Sequence, residues 1–314
     1  MIARDRPAAP PPRPGSPRAY VVAGQTVAAP PLEPGLYLVA TPIGNLRDVS
    51  LRALEILAAA DLIACEDTRV TRKLTGHYGI AAPLTPYHDH NAATALPKLI
   101  ARLADGARIA LVSDAGTPLV SDPGYRLVRA AQAAGCPVTT APGASAALAA
   151  VTVAGLPTDR FFFEGFLPAK EAARRTRIAA LAPIPATLVL FETGPRLAAA
   201  LADLAAGLGD RAAAVCRELT KLHEEVRQGT LAALARDYAA LPAPRGEIVL
   251  VVAPPADPEP AGADEVDRML RDALARLSVK DAVEEVAGLS GRPRREVYRR
   301  ALALKGGNRD GAAE

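Results

Sequence analysis

The chain has 314 residues, 50% of them hydrophobic and 23% charged, with a formal net charge of +3. That length suits about two domains with a small appendage, and that apolar content excludes wholesale disorder. Trp is absent and aromatics are only 4%, which argues against an aromatic base-stacking sheet.

Three scattered cysteines, Cys65, Cys136 and Cys216, supply neither a disulfide framework nor a zinc ribbon, so a reducing cytoplasm is the expected compartment. The uncharged stretch at residues 143–158 is too short and too rich in Ala and Gly to span a bilayer. No membrane association and no metal site are expected.

Residues 1–34 carry four Arg and nine of the 29 prolines. Proline at that density defeats both helix and sheet ladder, so this segment is expected to be a disordered tail. From residue 35 onward, short β-rich runs alternate with Ala/Leu/Arg helical runs. Strands are predicted at 36–40, 62–65, 109–113, 138–141, 160–166, 187–192, 213–217 and 247–253. Helices are predicted at 51–60, 91–104, 124–134, 144–153, 171–181, 196–208 and 231–239. This alternation predicts a mainly parallel sheet covered by helices, with ligands at the carboxyl ends of the strands. The β-runs lengthen after residue 157, which divides the body into two α/β lobes, 35–157 and 158–254, with a cleft between them. A proline-rich linker at 255–263 leads to a helical segment, 264–314, in which seven basic residues between Arg292 and Arg309 face only Glu296. Such a run is either a solvated helix face or a phosphate-contacting surface.

Three loops of the first lobe are dense in Pro, Gly and small polar residues. They are Thr41-Pro42-Ile43-Gly44-Asn45-Leu46, Ser113-Asp114-Ala115-Gly116-Thr117-Pro118 continuing to Ser121-Asp122-Pro123-Gly124, and Ala141-Pro142-Gly143-Ala144-Ser145-Ala146. Glycine admits a ligand close to the backbone, and proline fixes loop shape in advance. Neither GxGxxG nor GxxxxGK[ST] is present, and the loops carry Asp114 and Asp122 but no cation before Arg47. Carboxylates and backbone dipoles without cations suit a cationic or zwitterionic ligand, of which S-adenosylmethionine is one. Gly143-Ala144-Ser145-Ala146-Ala147 misses the last glycine of a hydrolase elbow, and His88-Asp89-His90-Asn91 has no third ligand at a metal-binding spacing.

The segments Gly35–Leu46, Cys65-Glu66-Asp67-Thr68-Arg69, His88–Asn91, Ser113–Pro118, Ser121–Gly124, Pro142-Gly143, Phe163–Pro168, Cys216–Lys221 and Arg245-Gly246-Glu247 occur in this order. As a set they resemble the bacterial ribosomal RNA small subunit methyltransferase I family, within the tetrapyrrole-methylase-like superfamily. The resemblance covers about residues 35–253 and the C-terminal helical piece. It implies 2′-O-methylation of a cytidine ribose in the decoding region of 16S ribosomal RNA, on the small ribosomal subunit. It further implies S-adenosylmethionine held between the lobes, and a cytoplasmic homodimer. The residues it implies around the donor are Thr41, Pro42, Ile43, Gly44 and Asn45, then Asp114, Ala115, Gly116, Thr117 and Pro118, then Ser145 and Ala146, with Phe191, Leu219 and Gly246 from the second lobe. Two features depart from the family pattern: Gly194-Pro195 stands where a Pro-His pair is usual, and the proline-rich tail is longer.

Methyl transfer to a hydroxyl needs an aligned oxygen and a route for its proton. Glu66, Asp67, Glu218, Lys221 and Glu247 flank predicted strand ends, with Asp67 and Lys221 preferred. RNA contacts are expected from Arg69, Arg72 and Lys73 at one rim, and from Arg292, Arg294, Arg295, Arg299 and Arg300 on the C-terminal helices. Two alternatives stay open: a tetrapyrrole C-methyltransferase of the same superfamily, and a non-catalytic ribosome-assembly factor.

Overall fold

A computed structural model of the chain describes residues 18–122, 124–256 and 261–307. Residues 1–17, part of the expected linker and Arg309 lie outside the described residues. The chain divides into two compact units, Met1–Pro255 and Ala256–Glu314.

The first lobe begins with a hairpin, β1 (Ala19–Val22) and β2 (Gln25–Ala28). This corrects the expectation of a disordered tail through residue 34. Ala23 and Gly24, both at positive φ, make the two-residue turn, which suits the twist of a hairpin. Tyr20 is buried in the core, the Val21 amide donates to the Tyr78 carbonyl at 2.7 Å, and Arg18 pairs with Asp61. Partners this far away in sequence outweigh the proline-rich context.

Next come β3 (Gly35–Val39), α1 (Leu51–Ala59), β4 (Leu62–Cys65), α2 (Thr68–His77), β5 (Leu84–Pro86), α3 (Ala92–Ala104), β6 (Arg108–Val112), α4 (Tyr125–Ala133) and β7 (Val138–Ala141). The five strands pair in parallel in the order β5-β4-β6-β3-β7. Their alternating side chains fill two cores. Val39, Ile63, Cys65 and Val112 pack with α1, and Leu36, Leu62, Ile109 and Leu111 pack with α3 and α4. Helix α2 was not foreseen. Its sequence is polar and buries only Thr71, Leu74 and Thr75, but Asp67 caps its start by accepting from the Arg69 amide.

Helix α5 (Ala146–Val153) leads to the second lobe: β8 (Phe161–Phe166), α6 (Glu171–Leu181), β9 (Thr187–Thr193), α7 (Gly194–Leu208), β10 (Ala212–Arg217), β11 (Glu225–Thr230), α8 (Leu231–Ala240) and β12 (Glu247–Val252). The strand order is β11-β10-β12-β9-β8, and only β8 and β9 are parallel. The mainly parallel expectation therefore holds for the first sheet and is corrected for the second. Strand periodicity fixes which face is buried, but not which neighbour a strand selects. Leu197, Leu201, Leu204 and Leu208 of α7 pack on one face of this sheet, and a buried pair, Arg174 with Asp203 at 2.6 Å, ties α6 to α7. On its other face Ala147, Ala150 and Val151 of α5 meet Val189, Val249 and Val251, which joins the two lobes.

Residues 256 onward form a separate three-helix unit: α9 (Ala263–Leu274), α10 (Val279–Ser290) and α11 (Arg294–Gly307). Val266, Leu270, Val283, Val286, Val297 and Ala301 make its core. No helix among the described residues is long and apolar enough to cross a membrane.

Candidate active site

Parallel pairing brings the loops after β3, β4, β6 and β7 to one edge of the first sheet. They are tied to each other. Thr41 and Gly116 exchange two backbone hydrogen bonds of 2.9 Å, and the Thr117 hydroxyl donates to the Ala144 carbonyl at 3.2 Å. The Asp67 amide donates to Asp114 Oδ1 at 2.9 Å, locking the β4 loop to the β6 loop. Ser145 caps α5 by accepting from the Leu148 amide.

The second lobe supplies the opposite wall. Glu218 and Thr220 sit at positive φ in the turn after β10. The Glu218 amide donates to the Glu247 carbonyl, and the Glu247 amide donates to Glu218 Oε1, both at 2.9 Å. Lys221 Nζ donates to Glu218 at 2.7 Å and to Glu247 at 2.8 Å. Its aliphatic stem lies so close to Gly44 that a Cβ there would stand 2.4 Å from Lys221 Cγ. Gly246, at φ +101°, leaves the space that the Glu218 side chain fills.

Between these walls lies a cavity of about 320 Å³. Ile43, Asp114, Ala115, Gly116 and Thr117 line it from the first lobe, with Ser145 and Ala146 at the start of α5. Phe191, Leu219 and Gly246 line it from the second. An adjoining hollow of about 370 Å³ takes in Thr41, Pro42, Gly44, Lys73 and Lys221. Asn45 and Pro118 line neither space, and Asn45 instead caps the short turn after it by accepting from the Arg47 amide.

The cavity also draws in Phe166, Glu192, Cys216 and Glu247, which the sequence did not tie to the donor, and Asp122, whose carboxylate it did. Asp122 lay in a loop already singled out. Phe166 is placed by a β-bulge at Gly165, which has no signature in the sequence beyond the glycine itself. Asp114, Asp122, Glu192 and Glu247 are charged residues of the lining, which includes no Lys, Arg or His among the described residues.

Environment separates the acids. Arg69, through its side chain and its amide, pulls the Asp67 carboxyl down to about 2, which makes Asp67 a poor proton acceptor. Burial opposes the charge on Lys221, but Glu218 and Glu247 outweigh it and hold the ammonium above its ordinary value. A fully charged Lys221 has no lone pair with which to take a proton. Lys221 pulls Glu218 below the carboxylate range, helped by the Glu247 amide. Burial and then Asp114 push Glu66 upward. Burial, the Glu66 charge and the Asp114 charge carry Asp122 up to about 6, with Ser113 offsetting part of the rise. Burial lifts the Cys216 thiol to about 11, so that side chain serves as apolar wall.

The family described as Tetrapyrrole (Corrin/Porphyrin) Methylases matches residues 35–235, and the RsmI C-terminal HTH domain matches residues 260–305. The ribosomal RNA small subunit methyltransferase I of Mesorhizobium japonicum is 55% identical over 284 residues, covering 90% of this chain and 96% of that protein. The chain belongs to the ribosomal RNA small subunit methyltransferase I family. The Escherichia coli O157:H7 member is 45% identical over 276 residues, covering 86% of this chain and 96% of its own length. Among solved structures, a uroporphyrin-III-C-methyltransferase from Thermus thermophilus superposes with a TM-score of 0.50 at 25% identity, covering 69% of this chain and 93% of that one. A diphthine synthase superposes with a TM-score of 0.54 at 18% identity over 69% of this chain and 89% of its own, a likeness of fold.

The basic residues separate as well. Arg69 is bound to Asp67 at 2.6 Å, whereas Lys73 opens onto the hollow. In the C-terminal unit Arg300 donates twice to Asp267, at 2.8 Å each, and Arg292 donates to the Ala261 carbonyl at 2.9 Å. These two arginines tie α11 back to α9 and its lead-in rather than standing free. Arg294, Arg295 and Arg299 are exposed on α11 around the half-exposed Tyr298, and Arg294 lies loosely against Glu284 at 3.7 Å.

Proposed function

We propose that this protein methylates the 2′-hydroxyl of a cytidine ribose in the decoding region of 16S ribosomal RNA, using S-adenosylmethionine. The observation that carries the reading is the cavity between the lobes, walled by preshaped loops and acidic residues without a cation. The donor supplies a methyl group on a positively charged sulfur. The residues present fit it. Ile43, Phe191 and Val249 offer apolar surface for a heterocycle, and Asp114 and Asp122 favour a nearby positive charge. Glu192 is buried, and its Oε2 has no hydrogen-bond partner among the described residues. Gly116 and Gly246 bring backbone to the cavity surface.

Within this reading, the β3, β6 and β7 loops and the Leu219–Gly246 wall orient the donor. Lys221, neutralised by two carboxylates, holds the two lobes' loops in register instead of moving a proton. Arg72 and Lys73 at the rim, and Arg294, Arg295 and Arg299 on α11, contact RNA phosphates and give a salt-dependent affinity. We place the protein in the cytoplasm as a homodimer.

The test is to incubate the protein with labelled donor and either unmodified small ribosomal subunits or a tetrapyrrole precursor, then map ribose methylation. Label on one cytidine ribose supports the proposal. Label in the tetrapyrrole alone, or in neither, refutes it. Sedimentation of the purified protein checks the dimer.

A further inference from the structure

Resting on that reading, the reaction must release the proton of a weakly acidic hydroxyl, and neither Asp67 nor Lys221 is placed to take it. The cavity has four acidic lining residues to choose from. Asp114 Oδ1 already accepts from the Asp67 amide at 2.9 Å. Glu192 Oε1 accepts from the Thr193 amide at 2.8 Å and lies 3.1 Å from Arg196 Nε. Glu247 Oε2 is held by Lys221 Nζ at 2.8 Å. Asp122 alone of the four has neither a cation nor a backbone amide on its oxygens among the described residues.

Its position fits the task. The loop segment Leu119 to Asp122 leaves the first lobe and reaches the second. Ser121 Oγ stands 2.9 Å from where a Cβ on Gly165 of β8 would lie. Leu119 and Ser121 hold positive φ angles of 72° and 63°, a conformation that non-glycine residues keep only where the surroundings enforce it. Asp122 is therefore carried on a loop braced across the cleft, beside the donor-facing segments Asp114–Thr117 and Ser145-Ala146.

We infer that Asp122 is the proton acceptor of the methyl transfer. As the bond from the ribose O2′ to the methyl carbon forms, the sulfur–methyl bond breaks and its electron pair returns to sulfur, leaving a neutral thioether. The O2′ proton passes to the Asp122 carboxylate and afterwards to water. The groups facing Asp122 are the Glu66 and Asp114 charges and the Ser113 hydroxyl, with Glu192 and Glu247 elsewhere in the lining. Burial and the neighbouring acids place its titration at about 6, close to neutrality, where a carboxylate is both ionised and usefully basic. Donor binding brings positive charge beside it and favours the ionised form.

The experiment measures kcat/KM from about pH 5 to 9 with the full chain, labelled S-adenosylmethionine and unmodified small subunits, for wild type, Asp122→Asn and Asp122→Glu. Donor affinity is measured by calorimetry, and thermal unfolding checks that each variant is folded. The expected wild-type profile falls tenfold per pH unit below about 6. Asp122→Asn should lose about 10²–10⁴-fold in kcat at saturating donor, over and above any weakening of donor binding from the missing charge, and its remaining activity should lack the acid limb. Asp122→Glu should recover part of the rate with a displaced limb. An Asn variant that keeps more than about a tenth of the rate and the same acid limb overturns the inference. So does a loss confined to donor affinity. Wild type that methylates no ribose on subunits would sink the substrate reading itself, whereas an active wild type with an equally active Asn variant sinks only the role of Asp122.

Discussion

Replacing Gly246 with alanine tests whether the second-lobe wall is shaped by what a side chain would displace. At φ +101° an alanine is strained by about 1–3 kcal/mol. Its Cβ would also meet Cγ, Cδ and Oε1 of Glu218, all at 2.5 Å. Glu218 cannot clear that space without releasing Lys221 Nζ and the Glu247 amide, which it binds at 2.7 and 2.9 Å. Water replaces these bonds in part at the half-open rim, so their loss adds about 1–2 kcal/mol. A total of about 2–5 kcal/mol lowers Tm by about 5–15 °C for a unit of this size. Donor affinity should fall with it, because Gly246 and Glu247 line the cavity. Gly135 serves as the control. It has φ +71°, no atom within 4 Å of its virtual Cβ, and lies before β7 at the opposite edge of the first sheet. Gly135→Ala should cost about 1 kcal/mol and leave donor binding untouched. Scanning calorimetry and titration calorimetry on both variants decide the matter. Equal losses of Tm in the two variants, or unchanged donor affinity in Gly246→Ala, would refute the argument.

Asp203→Ala should lower Tm by about 6–15 °C, because it leaves Arg174 buried without its partner at a cost of about 3–5 kcal/mol. Burial alone would raise the Asp203 carboxyl, but Arg175 and Arg174 hold it below its ordinary value. The stabilisation is therefore complete above the ordinary value of 3.8 and is lost as pH falls through the lower folded value, which unfolding curves taken below about pH 4 should show only in wild type. Asp122 behaves in the opposite sense, since its carboxyl titrates at about 6 in the folded chain, above its ordinary value of 3.8. Folded protein binds the proton more tightly there, so the Tm advantage of Asp122→Asn should be absent near pH 4, grow as pH rises to about 6, and level off above it. Arg295→Ala with Arg299→Ala should weaken subunit binding and flatten its salt dependence by about one unit of slope for each phosphate no longer neutralised, with donor affinity unchanged. Arg300→Ala should instead lower the stability of the C-terminal unit, which hydrogen exchange on α9 and α11 would report, because it removes both hydrogen bonds to Asp267.

Most local elements of both lobes, α2 and β5 apart, are legible in the residues alone, as are the edge on which the glycine- and proline-rich turns gather and the order of motifs that identifies the family. Those features depend on side-chain period and on turn chemistry, which are properties of neighbours along the chain. Folding in three dimensions was needed to bring β1 and β2 onto the first lobe, because Tyr20, Arg18 and the Val21 amide find partners at Asp61, Tyr78 and the α1 core. Long-range pairing likewise made the second sheet mostly antiparallel. It also reversed the standing of the acids. Asp67 and Asp122 are equivalent as letters, yet one is held by Arg69 two residues away while the other is raised by burial and then by Glu66 and Asp114, brought close by the parallel pairing of β4 with β6. A charge is set by whatever surrounds it in space, and along the chain that distance is not written.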